Sequence, residues 1–198
     1  HGLGAGAGGN INVDAGNLTL PNNASIKAAA ESSGAAGVIG IDARSVQLRS
    51  GALLTGSTSG AGKGGNIQIA SGTLTINGQN PSSGGLDIPT GIEAVTRSLD
   101  SPAAGGEIQV TADTVLLDHK GSISTTSFGQ GAGGNIKVSS GNLTLANNSS
   151  IRAAAESSGD AGIVAISSLA LNLQSGAIIT ASTSGAGKGG NIQILSDT

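Results

Sequence analysis

The sequence GGNIKV at residues 133–138 is the most informative part of the chain, because closely related sequences recur along it at a nearly fixed spacing. Coils built on this stretch are expected to begin near residues 9, 37, 65, 106, 134, 162 and 190, which gives steps of 28, 28, 41, 28, 28 and 28 residues. A longer period of 125 residues, the distance from 9 to 134, relates residues 8–73 to residues 133–198. Fixed periods of this size predict a solenoid, in which each repeat buries its apolar face against its neighbours.

Aliphatic residues within each repeat occur in pairs of spacing two, which is the period of a strand with one buried face. In the first repeat the pairs are Ile11 and Val13, Leu18 and Leu20, and Ile26 and Ala28. The residues that lie one 28-residue repeat after these positions are again mainly aliphatic. An α-helix is excluded, because each glycine costs a helix about 1 kcal/mol relative to alanine. The sequence therefore predicts one all-β domain over residues 1–198, a parallel β-helix with three strands per coil. About six 28-residue coils are expected, with partial coils at both ends.

The corners of each coil are predicted from asparagine, glycine and serine. Between the second and third strands the chain carries residue pairs that suit left-handed backbone. These pairs are Asn22-Asn23, Ser50-Gly51, Asn147-Asn148 and Ser175-Gly176. Another corner carries Asn10, Asn66, Asn135 and Asn191, one in every second coil. An unbroken column would form a side-chain ladder. The interruption favours capping of backbone groups instead, and either role is structural.

Composition limits the function classes. Glycine supplies 35 of 198 residues, the single aromatic is Phe128, and cysteine is absent, so no disulfide or thiolate metal site is expected. A net charge of −3 without a basic stripe argues against nucleic acid as a partner. No apolar run approaches the roughly 20 residues that span a bilayer. Both predicted ends lack a cap, so the chain is expected to be a segment of a longer array.

Several phrases of the sequence resemble the repeats of filamentous haemagglutinin-type exoproteins, most closely those of large cyanobacterial surface proteins. The four phrases are GGNI-x-(I/V), NLTL, SI-(K/R)-A and TSGAGKGGNI. The resemblance covers the whole chain. It implies a right-handed β-helix and export by two-partner secretion through an outer-membrane transporter. It also implies an extracellular or cell-surface location, with a role in adhesion or filament formation.

The 41-residue coil contains the one irregularity, an insertion predicted at about residues 77–91. Insertions in solenoids form loops on one face, which is often the binding face. The functional interpretation is a recognition loop with Asp87, Glu93, Arg97 and Asp100 near its base. The structural interpretation is a tolerated surface excursion, because lengthening a loop costs little entropy.

Catalysis is not expected, because the two outward columns that begin at Asn12 and Thr19 cluster neither acids nor bases of the kind that glycan-cleaving enzymes need. No cofactor is implied. Calcium would require dense aspartate at fixed spacing, and the single His119 is predicted to be a turn residue at a corner.

The expected function is a structural shaft segment of a secreted bacterial adhesin or extracellular filament, with possible self-association into fibres. The first alternative is a glycan-binding β-helix module that uses the inserted loop. An ice-binding β-helix is a second and less favoured alternative. The ice-binding alternative is weakened because Thr19, Thr75 and Thr144 are interrupted by Gln47 and Leu116 in the same outward column.

Overall fold

The computed structural model describes residues 6–31, 33–79, 89–97, 99 and 102–197, and all regular secondary structure in these residues is β-strand. In this part of the chain no helix has the length and apolarity needed to cross a membrane. The strands are β1 (Ile11–Leu20), β2 (Ser25–Lys27), β3 (Ile39–Arg49), β4 (Leu53–Thr58), β5 (Ile67–Asn77), β6 (Thr90–Thr96), β7 (Ile108–Asp118), β8 (Gly121–Ser127), β9 (Ile136–Leu145), β10 (Ser150–Ala155), β11 (Val164–Leu173), β12 (Ile178–Thr183) and β13 (Ile192–Ser196).

The strands form two parallel sheets. Six coils contribute one strand to each sheet, and the described part of the coil that begins near residue 190 contributes β13 to the seven-stranded sheet. Sheet A has the order β1-β3-β5-β7-β9-β11-β13, and sheet B has the order β12-β10-β8-β6-β4-β2. Every neighbouring pair is parallel, and most pairs join residues 28 positions apart, as Ile11 pairs with Ile39. The prediction of an all-β parallel solenoid with about six coils is confirmed.

The first two predicted strands of each coil run together as one long strand of sheet A. In β3 the buried positions are Ile39, Ile41 and Ala43, and then Val46 and Leu48. The two-residue gap after Ala43 marks a bend, and the pairing with β1 skips one position there. Each coil therefore keeps three apolar runs, but two of them belong to a single bent strand.

The core is a column of stacked aliphatic side chains between the two sheets. Equivalent positions in successive coils are almost completely buried, as shown by Ile39 and Ile67 in sheet A and Leu54 and Ile123 in sheet B, all 0 % exposed. Burial of such side chains stabilises a fold by about 1.5–3 kcal/mol each. Stability is thus distributed along the rod, with each layer supporting the next.

The second glycine of the GGNI stretch is required by the close approach of successive coils. An added Cβ at Gly134 would lie 1.8 Å from the carbonyl oxygen of Gly106 in the preceding coil. An added Cβ at Gly162 would likewise lie 2.0 Å from the carbonyl oxygen of Gly134. Real Cβ atoms do not approach an oxygen so closely, so this column accepts only glycine wherever a coil precedes it. This steric requirement explains why the motif recurs.

The left-handed corners are confirmed. Asn22 and Asn23 have φ of 45° and 65°, and the other three predicted pairs also have positive φ. The fourth coil uses His119 and Lys120 at this corner, with φ of 47° and 64°. The backbone N–H of His119 donates to Oδ1 of Asp118 at 2.9 Å, so the predicted turn histidine is held by a neighbouring carboxylate.

The additional residues of the third coil are divided between two places. Leu54 of β4 pairs with Ile92 of β6 at an offset of 38 residues, ten more than the regular 28. Ile92 pairs with Ile123 of β8 at an offset of 31, three more than the regular spacing. Asn77, Thr90 and Gly91, placed in the insertion from sequence, belong to strands β5 and β6. The insertion before β6 is thus shorter than predicted, and a second, smaller one follows that strand.

Candidate functional site

The asparagine corner connects the first, third and fifth coils each to the following coil. The Oδ1 atom of Asn10 accepts a hydrogen bond from the backbone N–H of Val38 at 2.9 Å. Asn66 accepts in the same way from Glu107 at 3.0 Å, and Asn135 from Ile163 at 2.9 Å. These side chains cap backbone groups one coil away, so the column has a structural role.

Replacing Asn135 by alanine should lower the free energy of unfolding by about 1 kcal/mol, because the Ile163 N–H loses its acceptor. Urea denaturation followed by circular dichroism measures this loss. Asn191→Ala is the matched control, since among the residues that the structure describes the Asn191 side chain caps no backbone group. Equal losses in the two variants would contradict capping across coils.

Of the four residues predicted at the base of the inserted loop, the structure places two on β6 or at its end. Glu93 lies within β6 and is half-buried, and Arg97 follows the strand and is exposed. The Arg97 backbone N–H donates to the carbonyl oxygen of Thr58 at 2.9 Å, which continues the pairing of sheet B. Asp87 and Asp100 lie outside the described residues. Arg97 also borders a cleft of about 410 Å³ that Lys27 and Glu31 line.

Burial raises the pKa of the Glu93 carboxyl above its ordinary value, and the positive charge of Arg97 offsets this only in part. A raised pKa in the folded state means that the charged carboxylate is less favourable in the fold than in the unfolded chain. Glu93 is therefore a site where burial works against its charge.

Glu93→Gln should raise the free energy of unfolding at pH 7, because it removes a half-buried charge. The gain should shrink as the pH falls through the folded pKa and vanish below the unfolded pKa, where both states are protonated. Urea denaturation at several pH values between 3 and 8 measures the trend. A gain independent of pH would exclude the carboxylate charge as its cause.

A groove on the outer face of sheet A brings together polar residues from four successive coils. The groove has a volume of about 630 Å³ and lies over the first half of strands β1, β3, β5 and β7. Its lining includes the side chains of Asn12, Asp14, Asp42, Gln68, Gln109 and Thr111. We call this concavity the sheet A groove.

Gly40 belongs to the lining of the sheet A groove, and its outward position carries no side chain. It pairs with Asn12 on one side and with Gln68 on the other. An added Cβ at Gly40 would lie 3.0 Å from Oδ1 of Asn12, so the Asn12 side chain leans over the glycine. At this point of the groove a glycine is therefore flanked by longer side chains on both neighbouring strands.

Among the residues that the structure describes, the polar side chains of the sheet A groove make no hydrogen bond or ion pair. Other outward polar groups pair along the rod. Ser45 Oγ donates to Asn17 Oδ1 at 2.7 Å, and Ser184 Oγ donates to Glu156 Oε2 at 2.7 Å. The groove thus presents donors and acceptors that remain available to a ligand.

Sequence reasoning did not identify the sheet A groove. The outward column through Asn12, Gly40 and Gln68 contains no cluster of acids or bases, and the neighbouring column contributes only Asp14 and Asp42 as acids, so neither column indicates a site by its charges alone. A signal was present in the sequence, since a glycine between two carboxamide residues in an outward column indicates a depression.

Within the described residues no group of three or more His, Cys, Asp or Glu side chains is arranged to hold a metal ion. Comparison with known proteins found no matching family model, no matching curated protein and no matching solved structure. The class defined by the fold is a parallel β-solenoid.

Proposed function

We propose that the chain is a structural rod, a shaft segment of a secreted bacterial surface adhesin or filament that projects or assembles rather than catalyses. The observation that supports this proposal most directly is the continuous pairing of sheet A through all seven of its strands. Six intervals of about 4.8 Å give an axial length of about 29 Å. A stack of this kind holds its two ends at a fixed separation.

The packing also favours a spacer role. Each coil buries the same kind of aliphatic layer, so coils can be added without changing the contacts of the existing ones. Length is therefore the property that this architecture varies most easily. Export by two-partner secretion and a location at the cell surface remain proposals that rest on the resemblance of the repeat motifs.

A display experiment tests the shaft proposal. The chain is placed between a surface anchor and a fluorescent reporter domain, and the height of the reporter above the membrane is measured by energy transfer. Compared with a reporter joined directly to the anchor, we expect the reporter on the rod to lie about 29 Å further from the membrane. Removal of residues 134–161, one 28-residue coil, should shorten this distance by about 4.8 Å. A broad distribution of distances that does not change with coil number would overturn the proposal.

Filament formation is the second candidate, and a neutral outward face favours it. This neutral face consists of two outward columns over the second half of the sheet A strands, and none of its twelve residues is charged; the Arg49 guanidinium borders it and donates to Oε1 of Gln47 at 2.7 Å. It consists of Asn17, Thr19, Ser45, Gln47, Thr73, Thr75, Thr114, Leu116, Asn142, Thr144, Ala170 and Asn172. Copies of a chain with net charge −3 can approach along this face without direct charge repulsion.

Electron microscopy of concentrated protein distinguishes the two candidates. Lateral bundles that disappear in the variant Thr75→Lys/Thr144→Lys would favour the filament. Isolated rods in the wild-type protein at every concentration would favour the spacer.

A further inference from the structure

We propose that the sheet A groove binds an oligosaccharide that carries free amino groups. The site lies on the flank of the rod and does not depend on whether the rod acts as a spacer or a filament. It also lies on a different sheet from Glu93 and Arg97, so it is separate from the predicted recognition loop.

The charges of the groove favour a cationic ligand. Asp14 and Asp42 pair directly across neighbouring strands, and both side chains are exposed. Like charges opposite one another in a sheet are destabilising. Arg44, two residues after Asp42, approaches Gly16 at the bend and forms no ion pair with either aspartate. An ammonium group between the two carboxylates would remove the repulsion and form charge-assisted hydrogen bonds.

The neutral groups of the groove favour a sugar as the carrier of that ammonium. Gln68 and Gln109 pair in register on neighbouring strands, so their carboxamides repeat along the rod axis, with Thr111 beside them. Each carboxamide both donates and accepts hydrogen bonds, as sugar hydroxyls require. The strand spacing of about 4.8 Å is close to the length that one pyranose unit adds to an extended chain. A glycan lying along the axis therefore meets one set of polar groups per unit.

The groove offers no aromatic ring to a sugar, so recognition rests on hydrogen bonds and charge. Such an exposed site is expected to bind weakly at physiological ionic strength and more tightly at low salt. Clustering of several rods would raise the overall avidity without new contacts.

Gly40→Gln is the decisive variant because it fills the groove without threatening the fold. Glutamine already occupies this column at Gln68 and Gln109, and the space above Gly40 is limited only by the flexible Asn12 side chain. The matched control is Ala165→Gln, which lies 125 residues later in the same column. The small concavity around Ala165 contains no carboxylate. Asp14→Asn/Asp42→Asn removes the charges and keeps side chains of the same shape.

Isothermal titration calorimetry at low salt tests binding of a glucosamine pentamer to the wild-type chain and these variants. We expect binding to the wild-type chain and the Ala165→Gln control, and at least about tenfold weaker binding to Gly40→Gln and to the double asparagine variant. The N-acetylated pentamer should bind at least about tenfold more weakly than the free amine, since it lacks the ammonium groups.

Four outcomes would overturn the proposal. They are no binding of the glucosamine pentamer, equal binding of the N-acetylated pentamer, equal binding of spermidine at matched charge, and displacement of the pentamer by stoichiometric calcium. Loss of binding on deletion of residues 79–89, with Gly40→Gln unaffected, would place the glycan at the inserted loop instead. The display experiment tests the shaft separately, so either proposal can fail alone.

Discussion

Gly134→Ala should lower the free energy of unfolding by about 3 kcal/mol, although it adds only one methyl group. The added Cβ would lie 1.8 Å from the carbonyl oxygen of Gly106 and 2.8 Å from its carbonyl carbon. These are backbone atoms, so no side-chain rotation relieves the overlap. The coils beginning at Gly106 and Gly134 would have to separate, which weakens the pairing of β7 with β9 and the packing of Ile108 against Ile136. Urea denaturation monitored by circular dichroism measures the loss.

Gly9→Ala is the matched control for this prediction. Gly9 occupies the same column in the first coil, and an added Cβ there meets no atom within 4 Å. Alanine at that position should therefore change the stability little, or raise it slightly by restricting the unfolded chain. If both variants lost the same stability, conformational freedom rather than coil spacing would explain the repeated glycine.

Periodicity made the fold predictable. Because each coil repeats the same aliphatic positions, one assignment of Ile136 and Val138 as buried residues predicted the burial of Ile39, Ile108 and their equivalents. The corners were predictable because left-handed backbone selects few residue types. The joining of two predicted strands into one was not, because a bend that keeps the backbone extended requires no turn residue. In β3 the bend falls at Arg44, whose residue type carries no such signal.

The candidate site was less predictable from sequence because a groove forms where outward side chains are short or missing. The residues that line it are also far apart in sequence. Asn12 and Gln109 line the same concavity although 97 positions separate them. The division of the additional residues into one group before β6 and one after it was also not predictable. The total length of a coil can be read from the sequence, but the residue at which strand pairing resumes cannot. The register of β6 against β4 and β8 fixes that point, and it depends on the burial of Ile92 between Leu54 and Ile123.

Ile123→Ala should lower the free energy of unfolding by about 3–4 kcal/mol, the cost of removing a large buried aliphatic side chain. Ile123 is 0 % exposed and lies in β8, between β6 and β10 in the middle of sheet B. Alanine would leave a cavity that the neighbouring layers cannot fill, because their backbones are fixed by pairing on both sides. Denaturation in urea, followed by circular dichroism, gives the size of the loss.

The comparison with Ile26→Ala shows whether stability is shared along the rod. Ile26 occupies the same column in β2, at the edge of sheet B, and is only partly buried. Its truncation should cost at least about 1 kcal/mol less than that of Ile123, because less surface returns to water and the cavity is open on one side. In a solenoid an internal coil is stabilised by two neighbouring coils, whereas a terminal coil is stabilised by only one. A central coil should therefore respond more strongly than a terminal coil to the same substitution, and equal losses would contradict a nearest-neighbour description of this rod.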